Sequence, residues 1–352
     1  MKTAVMTLNN RIRLNGDNIR SLEAIWLEKY LVKFLSRKVD FLSRKIVFEK
    51  SIDNYYDLAS IDNINDYEEI ILHNYNLNFF GGTIDDYTVK TIKLLNQFNG
   101  RIYYLITDPK LYFQSIADSL LERLKVNKIN FAGDRISVDD LIQFKKVEEK
   151  FIAIFTGRDY EYFLSKQKPT YSLQHGYNIP LFEFMFINKP IKANNNVEKQ
   201  FDLCYYGNNR GGYRTKVLKS IFSNSTLKTN VIGFNLEMPN NICDSYIDNN
   251  VLNDYIQRSV GSIVIGDKEH ENNWITARFF ENINNNLVSF IYNSYDSNKV
   301  LYKSEFLKEY VYFSTSQKIL STLKLIEKDP IFYQQILTEQ KRELEQFNYL
   351  KL

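Results

Sequence analysis

Short apolar runs alternate with helix-like runs along most of this chain, and the clearest pair is joined by a polar loop. Ser262 to Ile265 reads as a buried strand. Gly266-Asp267-Lys268 leaves its carboxyl end, and Asn273 to Asn284 reads as a helix. Strands alternating with helices build parallel βαβ units, so the pattern confines the chain to an α/β architecture. It also confines the chemistry. In such sheets ligands sit beyond the carboxyl ends of the strands. A helix starting there offers free N–H groups and the positive end of its dipole to an anion. Arg278 and Glu281, three residues apart, share one helical face. An Arg fork suits a diphosphate, and a carboxylate can accept hydrogen bonds from ribose hydroxyls. The same spacing also describes an ordinary surface ion pair.

The alternation appears in two series. In the first, Thr3 to Leu8, Lys45 to Phe48, Glu69 to Leu72 and Arg101 to Ile106 read as strands. Helices are expected from Asn18 or Ser21 to about Phe34 and from Tyr87 to Phe98. Phe151 to Phe155 and Phe182 to Ile187 are strand-like, and the polar stretch from Lys189-Pro190 to Asn196 reads as a linker. The second series has strands at Asp202 to Tyr206, Val231 to Phe234, Ser262 to Ile265 and Val288 to Tyr292, with a helix at Arg214 to Phe222. Pro330 to Gln346 reads as a long final helix. The sum is two doubly wound domains. Phe34-Leu35-Ser36-Arg37-Lys38 is echoed once at Phe41 to Lys45, too few copies for a solenoid.

A length of 352 residues fits two domains of ordinary size, and 44% hydrophobic content supplies their cores. The net charge of +3 neither demands nor excludes nucleic acid. Two cysteines, Cys204 and Cys243, make no disulfide framework and suit a reducing cytoplasm. Residues 1–6 lack a signal peptide's apolar run, and no stretch is long enough to cross a bilayer. His73, His175 and His270 are scattered without metal-ligand spacing.

Three further segments carry chemistry. Gly207-Asn208-Asn209-Arg210-Gly211-Gly212-Tyr213-Arg214 follows a strand and precedes a helix. Its glycines allow backbone N–H groups to approach a phosphate, and Arg210 and Arg214 add charge. It is neither a Walker loop nor a dinucleotide fingerprint, and a Gly-rich turn with exposed arginines would look the same. Asp108 leaves a strand end, where it could act as a general base or simply form a turn before Pro109. In Asn78-Phe79-Phe80-Gly81-Gly82, adjacent phenylalanines cannot both face one core from a strand. One of them could wedge into stacked bases, or both could anchor a loop.

Taken in order, these residues resemble the bacteriophage DNA β-glucosyltransferases. The similarity rests on Asn78 to Gly82, on Ile102-Tyr103-Tyr104-Leu105 with Thr107-Asp108, and on Ile265-Gly266-Asp267-Lys268 with Asn273, Ile275-Thr276, Arg278 and Glu281. Arg210, Gly212 and Arg214 match the family's phosphate loop. The likeness runs from Met1 to about Pro330 and is poorest between Tyr112 and Lys199.

The resemblance implies a GT-B fold: two Rossmann-like domains facing a central cleft, with a C-terminal helix crossing back to the N-terminal domain. Residues 1–190, joined by 331–352, would be the acceptor and DNA-binding domain, and residues 191–330 the UDP-sugar-binding domain. Asp108 would be the catalytic base and Glu23 a second acidic residue near acceptor and sugar. Asn78, Phe79, Phe80, Gly81 and Gly82 would meet DNA, with Phe80 filling the gap left by a flipped base. Gly207, Asn208, Arg210, Arg214, Ile247, Asp267, His270, Arg278 and Glu281 would hold the UDP-sugar. Two departures stand out, since the family's phosphate-loop serine is Asn208 here and a later tyrosine is His270. The implied reaction moves a sugar, glucose first, from a UDP-sugar to the hydroxymethyl group of 5-hydroxymethylcytosine in phage duplex DNA. No motif requires a metal, and Mg or Mn would be compatible. The expected setting is a monomer without membrane attachment in the cytoplasm of the infected bacterium. A glycosyltransferase for cell-surface glycans or small molecules, or a non-catalytic DNA- or nucleotide-binding protein, would use many of the same residues.

Overall fold

In the computed structural model the described residues are 1–6, 22–43, 54–73, 86–106, 115–125, 136–155, 175–188, 197–207, 212–233, 241–243, 249–266, 271 and 275–350. They fall into two units, Met1–Leu181 and Phe182–Leu352, each built on one parallel sheet.

The first unit contains β1 (Lys2–Met6), α1 (Leu22–Leu35), β2 (Lys38–Ser43), β3 (Tyr55–Asp57), β4 (Glu69–His73), α2 (Asp86–Gln97) and β5 (Arg101–Ile106). It continues with α3 (Ile116–Lys125), α4 (Val138–Glu148), β6 (Ile152–Phe155) and β7 (His175–Asn178). The strand order is β3-β2-β1-β4-β5-β6-β7. Ala4, Val5 and Met6 are buried on consecutive positions, as are Ile70, Ile71 and Leu72. Strands covered on both faces read as unbroken apolar runs, which is why these segments stand out in the sequence. The amino ends of the central strands are tied by Glu69. This fully buried carboxylate pairs with Arg37 and, at 2.6 Å, with Arg101. It also accepts from Thr3 and Tyr103.

The second unit contains most of α5 (Leu181–Asn188), then β8 (Phe201–Tyr206), α6 (Gly212–Phe222), β9 (Thr229–Ile232), β10 (Asn241–Cys243), α7 (Asn249–Gln257) and β11 (Ser259–Val264). It continues with α8 (Ala277–Asn284), β12 (Val288–Tyr292), α9 (Glu305–Val311), β13 (Tyr312–Phe313), α10 (Ser316–Lys328) and α11 (Pro330–Glu343). Its order is β10-β9-β8-β11-β12-β13. The final helix begins at Pro330 behind an Asp329 cap. Gln340, fully buried, pins it to the sheet: its amide oxygen accepts from the Ser289 N–H and the Tyr302 hydroxyl, and its amide nitrogen donates to the Leu287 carbonyl. No helix among the described residues is long and apolar enough to cross a membrane.

Several sequence expectations need correction. Phe182 to Ile187 is helical, not a strand: Pro180 precedes α5, and its apolar run is buried on most sides. Within the second unit, Phe186 stacks on Phe280 at 6.0 Å and its carbonyl accepts from Asn284. The second strand is Lys38–Ser43, while the expected Lys45 to Phe48 lies outside the described residues. Among the described residues of the short echo, Phe34-Leu35 close α1 whereas Phe41-Leu42-Ser43 close β2, so the two copies do not share a structure.

Candidate functional site

β8 is the second sheet's topological switch point. The chain goes from β8 to β9 on one side, and β11 lies on the other, which is where doubly wound sheets open a crevice. β8 delivers Tyr205, Tyr206 and then Gly207 to its carboxyl end. Gly207 has φ +143°, a conformation that side chains resist. A β-carbon there would stand 2.8 Å from Arg278 Nη2. The glycine is therefore needed twice, for its backbone angle and for the approach of the arginine.

Arg278 and Glu281 project from α8 towards this end of β8. Arg278 Nη2 donates to the Tyr206 carbonyl at 2.6 Å. Its guanidinium carbon lies 4.5 Å from the Tyr205 ring centre and 5.1 Å from that of Tyr206, within the range of cation–π attraction. Burial opposes the arginine's charge, but Tyr205, Tyr206 and Glu281 outweigh it and raise its pKa. The Tyr206 hydroxyl lies 3.1 Å from both Glu281 Oε2 and Asn282 Oδ1. Burial first, and the Glu281 carboxylate second, push the Tyr206 pKa well above its ordinary value. The pair on α8 is thus tied to β8, which the bare surface-pair reading does not anticipate.

Arg278 Nε, the Tyr205 hydroxyl and Thr276 Oγ1 are buried here without a hydrogen-bond partner among the described residues. Thr276 stands at the N-cap of α8, yet its side chain does not cap the helix. An uncapped N-terminus beside a held arginine is suited to an anion. Gly212, at φ +64°, opens α6. Arg214 is buried in that helix's first turn.

Of the residues singled out in the sequence, the structure brings Gly207, Arg278 and Glu281 together and sets Arg214 at the start of the helix following β8. Glu23 falls in the first turn of α1. Asn78, Phe79, Phe80, Gly81, Gly82, Asp108, Asn208, Arg210, Ile247, Asp267 and His270 lie outside the described residues. Among the described residues no group of three His, Cys, Asp or Glu could hold a metal ion. Sequence reasoning missed Tyr205, Tyr206 and Asn282. The available signal was the aromatic pair ending a strand directly before a glycine.

A family model described as bacteriophage T4 β-glucosyltransferase matches residues 1–127. The DNA β-glucosyltransferase of Enterobacteria phage T4 is 25% identical over 327 residues, spanning 84% of this chain and 82% of that protein. The T4 phage β-glucosyltransferase solved with its UDP-glucose substrate matches with a TM-score of 0.74 at 19% identity, over 99% of this chain and 95% of the other. The same phage enzyme solved with UDP and Mn2+ gives 0.71 at 20% identity, with the same coverage. These matches bear out the resemblance read from the motifs, and the fold is of the GT-B type.

Proposed function

We propose that this chain is a UDP-glucose-dependent DNA glucosyltransferase that modifies the hydroxymethyl group of 5-hydroxymethylcytosine in duplex DNA with inversion at the sugar. The observation that carries the reading is the Arg278–Glu281 pair, locked onto the end of β8 at the switch point of a sheet whose fold matches a UDP-glucose-binding enzyme. The second unit then binds the donor and the first receives DNA.

In this reading Arg210, Arg214 and Arg278 face the diphosphate, and the free amino end of α8 adds its dipole. Such fixed donors stabilise charge as it grows on departing UDP. Glu281 accepts from the ribose hydroxyls, Ile247 reads the uracil through its backbone, and Asn208, Asp267 and His270 complete the donor pocket. Asp108 takes the proton of the acceptor hydroxyl as that oxygen attacks the anomeric carbon from the face opposite UDP. Glu23 sits near acceptor and sugar. Base flipping presents the hydroxymethyl group, and Phe80, within Asn78 to Gly82, fills the gap in the stack. Contacts to DNA phosphates make binding salt-sensitive. No step calls for a metal, although Mg or Mn on the diphosphate would be compatible. The enzyme acts as a monomer in the cytoplasm of the infected bacterium.

The test is incubation with hydroxymethylated and unmodified duplex DNA across a panel of UDP-sugars, followed by mass spectrometry of the nucleosides. The reading expects a hexosyl adduct on hydroxymethylcytosine, with UDP-glucose the best donor. Binding of UDP without transfer to any DNA would overturn it.

A further inference from the structure

We infer that Tyr206 is a positioning residue that makes the site selective for ribonucleotide donors, by holding Glu281 where it meets the ribose 2′-hydroxyl. The inference rests on the UDP-sugar reading of this site and adds the device that sets its sugar selectivity.

Tyr206 touches both members of the α8 pair with different atoms. Its carbonyl accepts from Arg278 Nη2 at 2.6 Å, and its hydroxyl lies 3.1 Å from Glu281 Oε2. The residue is 6% exposed and closes strand β8, so its backbone is fixed by the sheet and its ring is packed. Glu281 is less buried than Tyr206 and projects from one turn of an eight-residue helix. A glutamate there has three rotatable bonds to order. A hydroxyl supplied from the neighbouring sheet removes much of that freedom before any ligand arrives. Preorganisation of this kind is where binding selectivity is gained.

Asn282 completes the arrangement. It is fully buried, its amide faces the same hydroxyl at 3.1 Å, and its Nδ2 lies 3.4 Å from Ser289 Oγ. One hydroxyl has one proton to give. A hydrogen bond to an ionised carboxylate is the stronger of the two, so the proton goes to Glu281. The Asn282 amide, which has a donor and an acceptor end, can serve the hydroxyl from the other side. The result is a short chain from β12 through Asn282 and Tyr206 to Glu281.

The experiment measures Kd for UDP and for 2′-deoxy-UDP by calorimetry on the full chain. It compares the unsubstituted protein, Tyr206→Phe, Glu281→Ala and the double variant, with thermal unfolding of each as a check on folding. The unsubstituted chain should prefer UDP. Tyr206→Phe keeps the ring and the Arg278 contact; it should weaken UDP about tenfold, the order expected for losing a charge-assisted hydrogen bond. It should leave 2′-deoxy-UDP within about threefold, so that the preference collapses. In the Glu281→Ala background the same substitution should add little, because coupled residues are not additive. A preference that survives Tyr206→Phe, or equal weakening of both nucleotides, overturns the inference and leaves the UDP reading standing. A chain that binds both nucleotides equally before substitution also overturns the inference alone, whereas one that binds neither overturns the UDP reading with it.

Discussion

Each sheet carries a polar network among the described residues, and the two networks lie at opposite ends of their strands. In the first unit, the described ionic cluster lies at the amino ends of the strands, where Glu69 gathers Arg37, Arg101, Thr3 and Tyr103. In the second, the polar network lies at the carboxyl ends, where Tyr206, Arg278, Glu281 and Asn282 converge on Gly207. Both networks are tightly connected. They differ in what is left over. The Glu69 carboxylate is used by its neighbours, whereas the second site leaves Arg278 Nε, the Tyr205 hydroxyl and Thr276 Oγ1 buried without a hydrogen-bond partner among the described residues. A closed network stabilises a fold; one with unspent donors at a switch point is shaped for a ligand.

The comparison can be tested from several sides. The largest effect belongs to chemistry. Asp108→Ala should lower transfer by about a thousandfold, within the usual range for loss of a general base, while UDP-glucose affinity in the other unit stays nearly intact. Single-turnover rates alongside equilibrium titration check this, and full retained turnover removes Asp108 from the role of base. Next comes Glu69→Ala, which strands Arg37 at a partly buried site. Losing one partner of a buried ion pair costs on the order of 3 kcal/mol. Denaturant unfolding should show that loss with UDP affinity unchanged, as a purely structural network requires. Gly207→Ala probes the opposite end. A side chain at φ +143° and 2.8 Å from Arg278 should cost about 1–2 kcal/mol in stability. It should also weaken UDP binding about tenfold by displacing the arginine. Unaltered UDP affinity would detach Arg278 from the site.

The smallest effect is a pH slope from the first unit. Glu148 is buried and accepts hydrogen bonds from Ser115, Ile116 and Ala117 at the start of α3. Burial pushes its carboxyl up from 4.5 to about 7, with those donors pulling it back. Between these values the folded chain holds a proton that the unfolded chain has released. Stability from this group is therefore full below pH 4.5 and is lost as pH rises through about 7. Denaturation midpoints at pH 5 and pH 8 should differ more in the unsubstituted chain than in Glu148→Gln, and equal differences would assign the slope elsewhere.

Much of this was legible in the sequence. The strands at Ala4 to Met6, Ile70 to Leu72 and Leu203 to Tyr206 announce themselves as unbroken apolar runs, because a parallel sheet covered on both faces demands them. That Arg278 and Glu281 share one helical face was legible from their spacing, whereas their ties to β8 were not. What escaped had physical reasons. In β2 the buried Asp40 interrupts the apolar run and is matched by Lys2 and Tyr67, partners remote in sequence. For α5, Leu-Phe-Glu-Phe-Met-Phe-Ile-Asn gives no periodicity when most of its sides are covered, so a helix imitates a strand. Tyr205 and Tyr206 passed for core because they are core. The site role of Tyr206 comes from a carbonyl and a hydroxyl whose partners lie more than seventy residues away.

The central claim is glucosyl transfer, and intact-mass analysis of a duplex oligonucleotide carrying one 5-hydroxymethylcytosine, after incubation with the full chain and UDP-glucose, tests it most directly. A gain of one hexose on the modified strand is expected, dependent on the hydroxymethyl group and lost in Arg278→Ala. An unchanged mass under conditions where the chain binds both UDP-glucose and the duplex would contradict it.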